Sequence, residues 1–373
     1  MDGVIYLNNA ATSFPKAEGV EEAVSRALLS RPGSAHRGGI ENFDVFAETR
    51  RALSRLMGVS APERIALGPN STWGLNQAIQ GFPLKPGDTV LSTDAEHNSV
   101  LRPLYRLWKE RDIDVRYVGV LPDGGVDPEV WSRTVKACRP KLCVFTHASN
   151  VTGMVNPAPE LVSAARECGA AVLLDASQTL GCVPVRAEEW NIDMLAFTGH
   201  KYLLGPQGTG GLYVRPGLEL SPVLLGGTGV KSDLETMPEE MPLHLEAGTG
   251  NEPSFCGLLA ALEWAEKNPA DGSAFALADE LRRGLKKAGA QVIVPTGEAT
   301  PVVSFNLPGR SADAVGYELS EGFGITCRSG LHCAPRIFAA LGCPSTVRLS
   351  LSRFTSEEEI GAAVSAVREI AGA

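Results

Sequence analysis

The sequence predicts an α/β fold in two lobes: a large lobe with a mostly parallel sheet between helices, and a smaller α+β lobe at the C-terminal end. Three observations lead there. The chain has 373 residues, more than one hydrophobic core usually supports. From about residue 64, short uninterrupted apolar runs alternate with helical patterns, which suits strands buried on both faces of a sheet. After Gly210 the texture changes, first to Gly-, Pro- and acid-rich loops and then to helices and strands mixed on a smaller scale. The division predicted is 15–253 for the large lobe and 254–373, joined by 1–14, for the small one.

Taken in order, 64–67 reads as a strand that runs into a Gly-Pro-Asn-Ser-Thr turn and a helix over 73–82. Residues 89–92 form the next strand, followed by a helix over 100–111. Further strands are expected at 115–118, 142–147, 171–175 and 194–198, with a helix over 157–168 between the second and third of the set. Strand–helix alternation of this kind implies a layered α/β sandwich. Residues 216–254 read as long surface loops, and a helix over 254–267 leads out of the large lobe. The small lobe is expected to hold helices over 274–288, 312–321 and 356–370. Its strands are expected at 291–294, 302–307 and 347–351.

Composition narrows the function. The chain is 44% hydrophobic and 21% charged, with a net charge of −9 and no basic cluster, so nucleic acid is not an expected partner. No run of 18 apolar residues occurs, so no membrane span is expected. The N-terminus lacks a basic region followed by an apolar core, and a cytoplasmic protein is expected. The eight cysteines are scattered without a Cys-x-x-Cys pair, which fits a reducing compartment and no disulfide framework. No metal site is predicted, because neither His nor Cys residues show ligand spacing. Gly226-Gly-Thr-Gly-Val-Lys-Ser looks superficially like a phosphate-binding loop, but Val230 separates Gly229 from Lys231 and no strand-to-helix context surrounds it.

Several polar residues fall at or just after predicted strand ends, where open α/β sheets carry their ligands. Lys201 follows the run Phe197-Thr198-Gly199-His200 and precedes a Gly-rich stretch. A lysine partly removed from water there is a nucleophile toward aldehydes, although a solvated loop lysine gives the same pattern. Asp175 ends a strand so apolar that its carboxylate needs a partner, either a cationic ligand atom or the start of the next helix. The turn at 68–72 precedes a helix and can hold a phosphate, or Ser71 or Thr72 can be plain caps. His97 lies between a strand and a helix, where it can stack on a planar ring or simply pack.

The order and spacing of these pieces, together with Tyr6-Leu-Asn-Asn-Ala-Ala-Thr, Ser149-Asn-Val-Thr-Gly and Thr198-Gly-His-Lys before Gly-Pro-x-Gly-x-Gly, resemble the class V aminotransferase family. Within it they resemble the cysteine desulfurase and selenocysteine lyase branch. The resemblance runs over nearly the whole chain. It implies the pyridoxal-phosphate (PLP) transferase fold of type I, with PLP as cofactor. It further implies that Lys201 holds PLP as a Schiff base, that Asp175 pairs with the pyridinium nitrogen, and that His97 stacks on the ring. Asn150 and Gln178 would lie at the ring's phenolic oxygen, and Ser71, Thr72, Thr198 and His200 would hold the phosphate. Glu246-Ala-Gly-Thr-Gly resembles a loop that reaches a neighbouring subunit's phosphate, so Thr249 implies a homodimer with shared sites. Thr198 stands where many relatives place Ser, which keeps the hydroxyl.

On the substrate side, Ile325-Thr-Cys-Arg-Ser-Gly-Leu-His-Cys-Ala-Pro resembles the Arg-x-Gly-x-x-Cys loop of the desulfurase branch. That implies Cys333 as the thiol that takes sulfur from L-cysteine, and a compact loop of the kind that serves a separate sulfur-acceptor protein. Taken by itself, Cys333 is equally a small core residue. Cys327 is expected to pack in the strand. Arg348 is the candidate to grip the substrate carboxylate, alongside Asn150, because a planar guanidinium binds a carboxylate through two parallel hydrogen bonds. Relatives often carry Tyr-Asn-Thr where this chain has Phe354-Thr355-Ser356, which puts details of that pocket in question. Arg353 reads as a surface charge, and His36 and Arg37 align with a loop near the active site. The expected activity is a cysteine desulfurase. Selenocysteine lyase and another class V aminotransferase or lyase remain alternatives; Cys333 is the feature that sets the desulfurase apart from the aminotransferase, and the sequence leaves cysteine and selenocysteine open.

Overall fold

A computed structural model describes residues 4–31 and 44–372. His36 and Arg37 lie outside the described residues. The chain opens with a short strand, β1 (Ile5–Tyr6), then α1 (Val20–Leu29) and α2 (Val45–Met57). The large lobe continues as β2 (Ile65–Gly68), α3 (Ser71–Gly81), β3 (Thr89–Thr93), α4 (Asn98–Arg111), β4 (Asp114–Val118) and α5 (Pro128–Cys138). It is completed by β5 (Leu142–Thr146), α6 (Ala158–Glu167), β6 (Ala171–Asp175), β7 (Met194–Thr198), β8 (Gly210–Val214) and α7 (Glu252–Lys267).

These strands form one seven-stranded sheet in the order β2-β8-β7-β6-β5-β3-β4. It is parallel from β7 to β4, while β8 runs antiparallel to both neighbours. Every residue of β5, β7 and β8 is buried, which is why their sequences show no polar alternation. Gly210 and Gly211 let β8 pass close to its neighbours: a Cβ on Gly210 would lie 2.7 Å from Asn70 Cα, and one on Gly211 would lie 2.4 Å from the Ala66 carbonyl. Residues 215–251 contain no helix or strand, as the loop-rich composition predicts.

The small lobe contains α8 (Ser273–Lys287), β9 (Gln291–Val292), β10 (Val302–Asn306), α9 (Ala312–Phe323), β11 (Ile325–Thr326) and β12 (Arg328–Gly330), then α10 (Phe338–Leu341), β13 (Thr346–Ser350) and α11 (Glu357–Gly372). An antiparallel sheet in the order β12-β13-β10-β9 carries α8, α9 and α11, whose Leu281, Leu285, Val315, Leu319 and Val367 bury against Phe305, Val347 and Leu349. β1 pairs in parallel with β11, and Leu7 joins this core, so the first residues fold with the last third of the chain. Helix α7 packs with α1 and α2, and its Phe255, Leu258, Leu259 and Leu262 belong to the large-lobe core. Helix α7 therefore packs with the elements that precede it.

The carboxyl ends of β3, β5, β6 and β7 share one edge of the large sheet, and the small lobe lies over that edge through Arg348 and the Cys333 loop.

Candidate active site

A cavity of about 260 Å³ opens along this edge. It is lined by Ser71, Thr72, His97, Asn150, Asp175, Gln178, His200, Lys201 and Arg348, all named from the sequence, and by Asn70, Ser99, Thr146, Ser177 and Arg328. A larger cavity of about 470 Å³ lies on the other side of the lysine turn, but its walls are mainly apolar. The polar groups converge in the smaller one, which is the stronger sign of a site.

Lys201 sits in a tight turn after β7. Gly199 donates to the Thr209 carbonyl at 2.8 Å, and Leu204, with φ +59°, donates back to Lys201 at 2.9 Å. Burial lowers the Lys201 amine to about 8; Asp175 opposes that shift, while Arg348 and Arg328 add to it. Asp175 ends β6, where Ser177 gives its Oδ1 two donors, the amide at 3.0 Å and the hydroxyl in a short contact. Burial raises its carboxyl, opposed first by the Ser177 hydrogen bonds and then by Lys201. The motif is local: a Ser two residues after an Asp is a sequence signal of an Asx-type turn.

At the opposite end of the cavity, Asn70 caps α3 by accepting from the Trp73 amide at 3.0 Å. Neither Ser71 nor Thr72 is the cap, so neither hydroxyl is spent on the helix's own amides at its positive end. Thr72 Oγ1 meets Ser99 Oγ at 2.7 Å, and Ser99 Oγ meets His97 Nδ1 at 2.9 Å. The Ser99 amide also donates to His97 Nδ1 at 3.1 Å, so the imidazole caps α4 itself. Because Nδ1 accepts, the ring proton belongs on Nε2. Burial, reinforced by Lys201 and nearby arginines, holds this imidazole neutral by lowering it to about 4. His200 is likewise lowered to about 4, by burial first, and its Nδ1 is buried without a protein partner. Thr198 is buried behind the cavity, with a long 3.4 Å bond to the Thr209 carbonyl. Thr249 is exposed and does not line the cavity of its own chain.

The small lobe supplies the other wall. Arg348 is fully buried on β13; its Nη1 donates to the Asn150 carbonyl at 2.9 Å and its Nη2 to Asn8 Oδ1 at 3.1 Å. Its Nε has no partner. Burial lowers this guanidinium to about 10, and Arg328 adds to the shift. Asn150 also donates through Nδ2 to the His332 carbonyl at 2.7 Å. The next residue is Cys333, half-buried, with φ +59° after φ +48° at His332. The Asn98 amide holds the Cys333 carbonyl at 2.7 Å, and Arg328 Nη2 donates to its sulfur at 3.0 Å. Cys327 lies between β11 and β12, where burial pushes its thiol up to about 11. Arg353 stacks on the Trp264 ring, 4.6 Å from its centroid.

A family profile described as "Aminotransferase class-V" matches residues 5–362. The chain belongs to the class-V aminotransferase family. It is 30% identical to a probable cysteine desulfurase of Pyrococcus abyssi, over 98% of this chain and 94% of that one. Among solved structures it is similar to the apo structure of a cysteine desulfurase from Thermococcus onnurineus NA1. That match has a TM-score of 0.88 at 28% identity and covers 99% of this chain and 95% of that one. A cysteine desulfurase from Escherichia coli gives a TM-score of 0.89 at 27% identity, covering 99% and 94%. The PLP-transferase fold expected from the sequence is thereby established.

PLP is the cofactor of this family, and the residues present fit it. Asp175 is a buried carboxylate suited to a protonated ring nitrogen, and Lys201 is a buried amine suited to an aldehyde. Gln178 Oε1 and His200 Nδ1 are buried polar atoms left without protein partners at the cavity. Among the described residues, no group of three or more His, Cys, Asp or Glu side chains is arranged to hold a metal. No described helix is long and apolar enough to cross a membrane.

Proposed function

We propose that this protein is a PLP-dependent cysteine desulfurase, releasing L-alanine from L-cysteine and keeping the sulfur on Cys333 as a persulfide. One observation carries the reading. The Cys333 thiol, held by Arg328, lies beside a cavity in which Lys201, Asp175 and Arg348 converge. Transamination needs no thiol, so this placement favours sulfur transfer over an amino exchange. Relatives named cysteine desulfurase, matched over nearly their full length, support it.

When bound, PLP supplies an aldehyde that captures amines and a ring that accepts an electron pair. Lys201 is the residue that would hold the aldehyde, and as a neutral amine it would be the base for the substrate α-proton. Asp175 would keep the ring nitrogen protonated, and His97, neutral and carrying its proton on Nε2, would lie against the ring. Asn150 and Gln178 would serve the phenolic oxygen. Ser71, Thr72 and His200 would hold the phosphate, with Thr198 supporting their wall. Arg348 offers Nε and the second Nη2 proton as a fork for the substrate carboxylate, with Asn150 beside it. Cys333 then attacks the substrate sulfur: an S–S bond forms, the Cβ–S bond breaks, and the bonding pair stays on carbon, which takes a proton to become the alanine methyl.

The active form in this reading is a cytoplasmic homodimer, with Thr249 of each chain completing the phosphate pocket of the other. Its exposure and its absence from its own chain's cavity fit that role. A separate protein accepts the sulfur from the compact Cys333 loop. Incubation with cysteine is expected to yield alanine and a persulfide that maps to Cys333. Cys333→Ala is expected to lower turnover by about 10²-fold or more while leaving the visible PLP band in place. Undiminished cysteine turnover in that variant rules out the persulfide route, and turnover of selenocysteine alone makes the protein a selenocysteine lyase instead.

A further inference from the structure

The N-terminal segment over residues 8–16 touches three parts of the site at once. Asn8 accepts from Arg348 at 3.1 Å. Asn9 Nδ2 donates to the Ser350 carbonyl at 2.9 Å, and the Ala10 amide donates to Ser350 Oγ at 2.9 Å. The Ala10 carbonyl accepts from Gln178 Nε2 at 3.0 Å. The segment then ends on a single carbonyl, that of His200, immediately before Lys201. Four donors meet there: the Ser13 amide at 2.9 Å, Thr12 Oγ1 at 3.1 Å, Ser13 Oγ at 3.2 Å and Lys16 Nζ at 3.2 Å.

Lys16 is the strongest of these donors because it brings a formal charge. Its ammonium also donates to Ser13 Oγ at 3.0 Å and to Thr12 Oγ1 at 3.4 Å. Both hydroxyls therefore pass polarisation on to the same carbonyl, which strengthens the cluster as a unit. Among the described residues Lys16 forms no ion pair with a carboxylate, so nothing competes for the ammonium. It is partly buried, and burial lowers it to about 8. A buried charge without an anion is costly unless its hydrogen bonds are well made. Here all of them converge on the turn that carries the reactive lysine.

We propose that Lys16 is a positioning residue for Lys201, fixing the His200–Lys201 peptide and with it the direction in which the Lys201 side chain leaves the backbone. This inference rests on the reading of Lys201 as the cofactor lysine. A nucleophile held in one direction reacts faster than one that must search for it, and small misplacements cost large factors in rate. Because Asn8 and Lys16 belong to one short stretch, the groups that grip the substrate carboxylate and the amino carbon are set against a common support.

The test uses Lys16→Met and Lys16→Arg, each as the full chain. In cofactor-free protein, amide hydrogen exchange in Lys16→Met is expected to rise about tenfold over residues 9–16 and 199–205, with strands β5 and β13 unchanged. Lys16→Arg is expected to stay within about threefold of the parent. After loading with PLP, Lys16→Met is expected to lose about tenfold in kcat with KM for cysteine within about twofold, and Lys16→Arg to recover most of it. Unchanged exchange in Lys16→Met, or a Lys16→Arg protein no better than Lys16→Met, overturns the proposal. Borohydride reduction of the parent protein tests the underlying reading separately. A label on a residue other than Lys201 refutes the proposed function, while the exchange result still decides whether Lys16 holds the turn.

Discussion

Replacing Arg348 by Lys gives the sharpest test of how the substrate is held. The guanidinium spends one Nη1 proton on the Asn150 carbonyl and one Nη2 proton on Asn8, which leaves Nε without a protein partner and a second Nη2 proton for a ligand. A lysine offers one point donor and must choose between the protein and the ligand. Losing one charge-assisted hydrogen bond to a carboxylate costs about 1.5–3 kcal/mol, or roughly 10- to 150-fold in affinity. KM for cysteine in R348K should rise by that factor, while kcat falls by less than about tenfold. The control is cysteamine, which has the amine and thiol but no carboxylate: its weak turnover should be nearly indifferent to the substitution. Alanine release from cysteine and sulfide release from both compounds, over a range of concentrations, supply the numbers. If R348K lowers cysteine and cysteamine turnover alike, the arginine is a structural group and the assignment of the carboxylate site is wrong.

Other expectations follow from the buried titratable groups. Burial lowers Lys201 to about 8 in the protein without cofactor, so the rate of PLP capture should climb through pH 8 and then level off, instead of rising toward 10.5; stopped-flow absorbance measures it. Glu96 is fully buried, its Oε1 taking bonds from Thr93 Oγ1 at 2.6 Å and the Thr146 amide at 3.0 Å, and burial raises it from 4.5 to about 8. The folded protein then binds a proton that the unfolded chain has released, so this group removes stability as pH rises from 4.5 to 8. The histidines His97, His147, His200 and His332 are lowered by burial and act in the opposite sense below pH 6.5. Glu96→Gln, compared with the parent by chemical denaturation at several pH values, should lose the falling limb above 6.5 and keep the rising one. An unchanged profile would mean that Glu96 is already ionised at neutral pH.

Much of the large lobe was legible because its strands are buried on both sides, which leaves unbroken apolar runs such as Leu142–Thr146 and Met194–Thr198. The reversal of β8 was not, since strand direction leaves no mark on an apolar run; it shows only in the glycine pair at 210–211 that lets the strand approach Asn70 and Ala66. Lys201, Asp175 and His97 could be picked out because they end a strand or follow one within a few residues. Their partners were harder. Ser99 and Ser177 lie two residues away and were within reach of turn chemistry, but the bonds Arg348–Asn8 and Lys16–His200 join residues 340 and 184 positions apart. Contacts of that kind come from topology, and no local pattern announces them. The cap of α3 was misplaced for a different reason: Asn70, Ser71 and Thr72 are all good caps, and only the geometry of the turn selects Asn70.

The backbone at His332 and Cys333 lies in the left-handed region at two successive non-glycine residues, anchored by Asn150 on one carbonyl and Asn98 on the next. Such a conformation persists only where the surroundings over-determine it. If Cys333 carries sulfur as proposed, that atom would sit on an anchored backbone with no slack to extend, a fixed berth and not a swinging arm. An acceptor of that sulfur would then have to come to the berth.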